Sequence, residues 1–329
     1  MHIMNNKFYI LANNHTVIKI FDYNGKYLSQ INNHGNGPDE YIRISSFKVD
    51  KLNNRIIIAD SFSRRIFAYD QYGKQLQNIK LDFEPITILP YDDAFINIYS
   101  GPRGIYENAD MENRNIHFLD KKGKFISSAI EIDTPNSINI SSMFQTGITE
   151  NGEILFQPVL SEVTYQIRNN YEVIPLYAFV NNSSYNLLTL SEKNKFQFEY
   201  DRKNSFEDKE DSKYLLTWGE VLDLTDYTLF LFSGWNKKKY LYYSKEFEDA
   251  LFIDPQYISG DPGLKEIFLS YPKAVKGNKF FTTVHPMTIE NVKDKLPEGK
   301  VKSFLNKTDI DSNPILISYS IRFIKSNSN

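Results

Sequence analysis

The chain has 329 residues, a formal net charge of −3 and no cysteine, with 41% hydrophobic and 15% aromatic side chains. This balance excludes the global basic field that nucleic-acid binding needs, and the missing cysteines exclude disulfides, thiolate metal sites, iron–sulfur clusters and a cysteine nucleophile. No apolar run reaches the length that spans a bilayer, and Met1-His2-Ile3-Met4-Asn5 carries neither the basic nor the apolar part of a signal peptide.

In chain order, the alternating and wholly apolar runs predict strands near 8–13, 17–22 and 27–31, behind a tight Asn5-Asn6 turn. The next four, near 45–50, 56–60, 65–70 and 75–81, form the clearest four-stranded unit. A third unit runs from about 86 to 132, with a long insertion between its second and third strands. A fourth and weaker unit uses 148–156, 163–167 and 173–176, and a fifth uses 214–225, 228–232, 240–244 and 250–253. A sixth uses 274–284 and 315–321, with a polar helical stretch near 287–306 between them. The segment 181–213 is charged and carries no strand repeat; its centre, Lys203 to Asp211, reads as a solvated loop or short helix.

Three of these units share one turn, Asp-x-x-Gly-Lys, at Asp22, Asp70 and Asp120, spaced 48 and 50 residues apart. The Asp accepts backbone N–H bonds and the Gly takes the left-handed conformation that follows a type I turn in a hairpin. A period that long, with several strands inside it, predicts an all-β radial array: a six-bladed β-propeller of four-stranded antiparallel blades, occupying 1–329 as a single domain. With the strands of each blade named a to d outward from the axis, the tight turns are all a–b or c–d. The long segments, with insertions near 101–114, 181–213 and 286–313, are all b–c or d–a, so they decorate one face. Loops carry function more often than the scaffold does, so a ligand is expected on that face or at the mouth of the central channel.

Arg55-Ile56-Ile57-Ile58-Ala59-Asp60 followed by Arg65 to Lys74 resembles an NHL-type propeller repeat. The connector Gly35-Asn36-Gly37-Pro38-Asp39-Glu40-Tyr41 and the tail Asp311-Ser312-Asn313-Pro314-Ile315-Leu316-Ile317 resemble those of bacterial six-bladed β-propeller proteins of unknown function. Asp39 stands where that family usually has Gly. The resemblance implies a cell-envelope location, periplasmic or outer-membrane-anchored and lipoprotein-like, and assigns no activity. It also implies a strand ahead of His2 that completes the last blade. The last blade is therefore expected to be one strand short, with Met1 not the natural start or the gene truncated.

No catalytic, cofactor-binding or metal constellation stands out. Gly35 and Gly37 lack the third Gly and the Lys-Ser/Thr of a phosphate cradle, and read as a blade connector in which Tyr41 packs between blades. The three turn Asp residues lack the calcium-loop ladder and read as turn caps. The histidines His2, His15, His34, His117 and His285 show no metal spacing; His117 falls in a strand, as a packed or surface residue. No Gly-x-Ser-x-Gly elbow occurs. The ligand-binding candidates are His34 and His285 on the long-loop face, Arg64, Arg65 and Arg103 as carboxylate or phosphate binders, and Trp235 as a stacking surface for a sugar or peptide. Against these stand blander roles: solvated arginines, and a Trp folded over its own blade. The preferred reading is a non-catalytic, monomeric binding module without a cofactor, whose partner is a protein, peptide or glycan. The alternative is a metal-dependent lactonase- or lyase-type propeller with ligands converging in the central channel.

Overall fold

A computed structural model describes residues 1–99, 109–111, 114–131, 146–149, 151–158, 161, 163–179, 186–187, 214–217, 221–234, 237–253, 272–292, 294, 296, 298–307 and 314–320. Its strands form six successive sheets, the blades of a six-bladed β-propeller. The first is β1 (His2–Met4), β2 (Lys7–Ala12), β3 (Val17–Asp22) and β4 (Tyr27–Ile31), antiparallel in that order. The second is β5 (Ser46–Asp50), β6 (Arg55–Asp60), β7 (Arg65–Asp70) and β8 (Gln75–Lys80). The third is β9 (Thr87–Tyr91), β10 (Ala94–Ile98), β11 (Arg114–Leu119) and β12 (Phe125–Glu131), and the fourth is β13 (Thr146–Ile148), β14 (Ile154–Phe156), β15 (Val163–Ile167) and β16 (Val173–Ala178).

The fifth sheet departs from expectation. The single strand foreseen at 214–225 is two, β18 (Tyr214–Thr217) and β19 (Leu222–Asp223). Both pair with the eight-residue β20 (Tyr227–Gly234), which is long enough to hold them end to end. A two-residue β17 (Asn186–Leu187), inside the stretch read as strandless, pairs in parallel with β18. The sheet continues with β21 (Lys237–Ser244) and β22 (Asp249–Ile253). The sixth sheet has three strands among the described residues, β23 (Ala274–Lys276), β24 (Lys279–Val284) and β25 (Ile315–Tyr319), one fewer than the first four, as expected. Between β24 and β25 lie the helices α1 (Pro286–Val292) and α2 (Lys300–Leu305). Ile289, Val292 and Leu305 from these helices bury against Val284, Ile315 and Ile317 of the sheet. The chain divides into two compact units, Met1–Val221 with Phe230–Lys237, and Leu222–Leu229 with Lys238–Asn329. The first four sheets lie in the first unit and the sixth in the second.

Strand periodicity explains the packing of the first unit. Every residue of β6 is buried. Ile56 and Ile58 point into one core with Tyr9, Ile18, Ile20 and Tyr41, while Ile57 and Ala59 point into another with Ile88, Phe95 and Leu119. The third sheet divides likewise: Leu89, Ile96 and Phe118 pack against Ile154, Phe156 and Ile167 of the fourth. A strand buried on both faces reads as a continuous apolar run, and each fully buried aliphatic or aromatic side chain contributes about 1.5–3 kcal/mol.

The connector between the first two sheets is held from both ends. The Glu40 carboxylate accepts the Gly37 N–H at 2.8 Å and folds across Gly35, where any Cβ would collide with it. Tyr41 is fully buried, and its hydroxyl donates to the Thr16 carbonyl at 2.7 Å. The buried Asp60 carboxylate then accepts the Ile42 N–H at 2.8 Å, the Phe62 N–H at 3.0 Å and the Ser63 hydroxyl at 2.6 Å. The Gly-x-Gly-Pro stretch is thus a folded strut between blades.

His117 is fully buried; its Nε2 lies 2.9 Å from the Met111 carbonyl and its Nδ1 lies 3.1 Å from Asn97 Nδ2. The carbonyl can only accept, so Nε2–H donates and Nδ1 accepts from the amide. This network ties the 3-10 turn Ala109–Met111 to β11. Burial pulls the ring's pKa from 6.5 down to about 4, against the raising effect of its backbone hydrogen bonds.

Two predictions follow from these buried groups. Asp60→Ala leaves the Ile42 and Phe62 donors unpaired and should cost about 2–3 kcal/mol in denaturant unfolding, since each unsatisfied buried group costs about 1–3 kcal/mol; an unchanged midpoint would contradict the strut. Because the folded pKa of His117 is depressed, the unfolded chain binds the proton first. The neutral ring's contribution is therefore complete above about pH 6.5 and declines as pH falls towards 4. The loss is roughly 3 kcal/mol at 1.36 kcal/mol per pKa unit, and unfolding measured from pH 8 to 4 should show a shallower acid slope in His117→Gln than in wild type.

Candidate functional site

One cavity among the described residues lies in the first unit, on the side of the tight turns. It is an open hollow of about 510 Å³, lined by Val49–Leu52 of the second sheet, Pro90–Asp92 of the third, and Ile148, Asn151–Ile154, Ile167–Asn170 and Glu172 of the fourth. Four turns from three sheets therefore build it: β5–β6, β9–β10, β13–β14 and β15–β16.

The first two walls are locked together. The Arg55 guanidinium, largely buried, donates to Asp50 at 2.7 Å and to the Asp92 carbonyl at 3.3 Å, and lies 5.6 Å from the Phe95 ring centroid. Asn53 donates to the same carbonyl at 2.8 Å and to Asp50 at 2.9 Å. These contacts join the turn of one blade to the turn of the next.

The third wall is a variant of the repeated turn. In the three foreseen copies the Asp accepts two backbone N–H bonds: Asn24 and Lys26 on Asp22, Tyr72 and Lys74 on Asp70, Lys122 and Lys124 on Asp120, all at 2.8–2.9 Å. Gly25, Gly73 and Gly123 all have positive φ. The fourth copy is Arg168-Asn169-Asn170-Tyr171-Glu172. The Arg168 N–H donates to the Glu172 carbonyl at 2.9 Å, the same closing bond that Asp22 makes to Lys26. Arginine stands in place of the aspartate cap, glutamate in place of lysine, and Tyr171 in place of the glycine, at φ 64° beside Asn170 at φ 62°. Left-handed backbone at a bulky residue costs about 1–3 kcal/mol and persists only where its surroundings impose it. Tyr91 imposes it here. Its hydroxyl donates to the Arg168 carbonyl at 2.9 Å and accepts the Tyr171 N–H at 2.7 Å, while the Tyr171 ring packs 5.7 Å from Tyr91 and 5.2 Å from Phe118. Burial pushes the Tyr91 phenol pKa up, keeping it a neutral donor.

Some of the cavity's polar groups are consumed, Asp50 by Arg55 and the Tyr91 hydroxyl by the fourth turn, and others are not. Among the described residues no hydrogen bond or ion pair engages the carboxylates of Asp92, Glu153 or Glu172, and Arg168 uses only Nε, donating to Gln166 at 3.0 Å. No three His, Cys, Asp or Glu residues among those described gather as a metal site would require.

The residues singled out from sequence sit elsewhere. His34 is exposed beside an isolated bridge to Tyr41. Arg64 lies 3.7 Å from Glu84, and Arg65 donates to Asn78 at 2.7 Å. His285 caps α1, its Nδ1 accepting the Met287 N–H at 3.2 Å. Arg103 and Trp235 lie outside the described residues. None of the four described candidates lines the cavity. Arg168 was missed because its turn has lost both marker residues, although it stands 48 residues after Asp120, on the period.

Comparison with known proteins agrees on the fold. A candidate exported protein of Bacteroides fragilis superposes with a TM-score of 0.73 at 15% identity, over 97% of this chain and 89% of that one. A member of the DUF4221 family from Bacteroides vulgatus gives 0.50 at 9% identity, over 93% and 86%. A virginiamycin B lyase from Staphylococcus aureus reaches only 0.42 at 11% identity, over 84% and 87%, a likeness too slight to speak to chemistry. No curated protein matches the chain. The model of one family matches residues 1–320, and the chain belongs to that family, described as Domain of unknown function (DUF4934).

Proposed function

We propose that the protein is a non-catalytic binding module of the cell envelope, with residues 1–329 as one propeller domain, and that its ligand seats in the cavity of the first unit. The observation that carries this reading is the fourth turn. Three copies use a capping aspartate and a glycine that suit the backbone. The copy that walls the cavity gives up both and holds Tyr171 in a left-handed conformation, displaying Arg168 and Glu172. A fold retains such a local cost where the displayed groups serve something other than stability. The envelope location draws on the family resemblance and on the exported character given to the Bacteroides fragilis relative.

Asn151→Trp places an indole in the cavity mouth, and Asn24→Trp places one at an exposed turn of the first sheet as a control. Ligand-observed NMR against a broad library of metabolites, peptides and glycans should find compounds that bind wild type and Asn24→Trp and weaken at least tenfold with Asn151→Trp. Tyr91→Phe should also weaken them and speed amide exchange at Tyr171. Hits that bind Asn151→Trp as they bind wild type would move the site elsewhere, and hits recovered chemically altered would end the non-catalytic reading.

A further inference from the structure

We infer that the cavity ligand is a short peptide with free ends, its α-amino group held by the rim carboxylates and its α-carboxylate by Arg168. This rests on the proposal that the cavity is the binding site, and it comes from the distribution of charge around that cavity.

The floor is aliphatic: Val49, Ile154 and Ile167 line it. The rim carries charge of both signs. Asp50 is neutralised by Arg55, and Lys51, the other cation of the lining, is already engaged, so neither offers a free charge to a ligand. Asp92, Glu153 and Glu172 have no partner among the described residues, and the terminal nitrogens of Arg168 are equally unengaged. Arg168 and Glu172 are the two ends of one closed turn, so residues of opposite charge stand side by side on one wall. Tyr91 pins the backbone between them.

Each simple ligand class fails somewhere on this rim. A phosphate or other anion would meet three carboxylates. A bare cation would leave the guanidinium facing it without an anion. A neutral glycan would cover charged groups of both signs without neutralising either, and burying an unpaired charge is costly. It would also lack a stacking surface, because the one aromatic lining residue, Tyr91, is buried and already bonded through its hydroxyl. A zwitterion with an aliphatic middle satisfies all three features, because guanidinium pairs with a carboxylate through two parallel bonds while an ammonium pairs with a single carboxylate as a compact point charge. About 510 Å³ falls within the 300–1,000 Å³ of small-ligand sites, larger than one free amino acid requires. The ligand is therefore of the order of a few residues.

The test uses the full chain and four pooled probes: tripeptides with free ends, the same tripeptides N-acetylated, the same C-amidated, and neutral trisaccharides. Retention by the protein is read by mass spectrometry. The free-ended pool should be retained, and either cap should reduce retention at least tenfold. Arg168→Gln should erase the penalty of amidation but keep that of acetylation, and Glu153→Gln combined with Glu172→Gln should do the reverse. All four positions are exposed, and unchanged thermal melting of the variants would separate lost binding from lost folding. Trisaccharides retained by wild type and lost by Asn151→Trp would overturn the peptide assignment while leaving the cavity as the site. Free-ended peptides that bind equally well to Asn151→Trp would overturn both, and retention indifferent to either cap would overturn the peptide assignment.

Discussion

The two-residue period of the β-strand governs this structure. In the inner strands of the first unit both faces are buried, so neighbouring residues such as Ile57 and Ile58 belong to different cores. A strand so placed has no solvent face on which to vary. Apart from buried polar side chains inside strands, such as the paired Asn97 and His117, polar and charged groups gather at strand ends, turns and connectors, and much of the protein's chemical individuality resides there.

Those turns do two kinds of work. Some stitch blades together, as Arg55 and Asn53 do by reaching the carbonyl of Asp92, or as Asp60 does by gathering the donors of a connector and a turn. Others only close a hairpin, with an aspartate accepting two N–H bonds and a glycine supplying positive φ. The fourth copy keeps the hairpin closed but exchanges both residues for ones that serve the turn less well. That departure from local consistency, at the wall of a cavity, is what sets the site apart from its three siblings.

Much of the fold was legible from sequence because its signals are local. The Asp-x-x-Gly-Lys spacing set the blade period, apolar runs marked the strands, and the connector's Gly35 and Gly37 were correctly read as structural. The three strands of the final blade among the described residues also followed. What stayed hidden depends on partners distant in sequence. Nothing local to Leu222 shows that it pairs with the same strand as Leu216. Nothing local to Tyr171 shows that Tyr91, 80 residues away, fixes its backbone. Loop length is visible in sequence, whereas a cavity made by short turns of three sheets is not. The period did point to Arg168, but the turn lacked the residues that made the other copies recognisable.

The central claim is that the fourth turn gives up stability for display. Rebuilding it in the image of the others, as Arg168→Asp, Tyr171→Gly and Glu172→Lys together, tests this directly when unfolding and ligand retention are measured on the same protein. Relief of the left-handed tyrosine and gain of an aspartate cap should outweigh the lost ring packing and stabilise the fold by about 1 kcal/mol, while binding in the cavity disappears. A rebuilt turn that is no more stable, or one that still holds the ligand, would contradict the account.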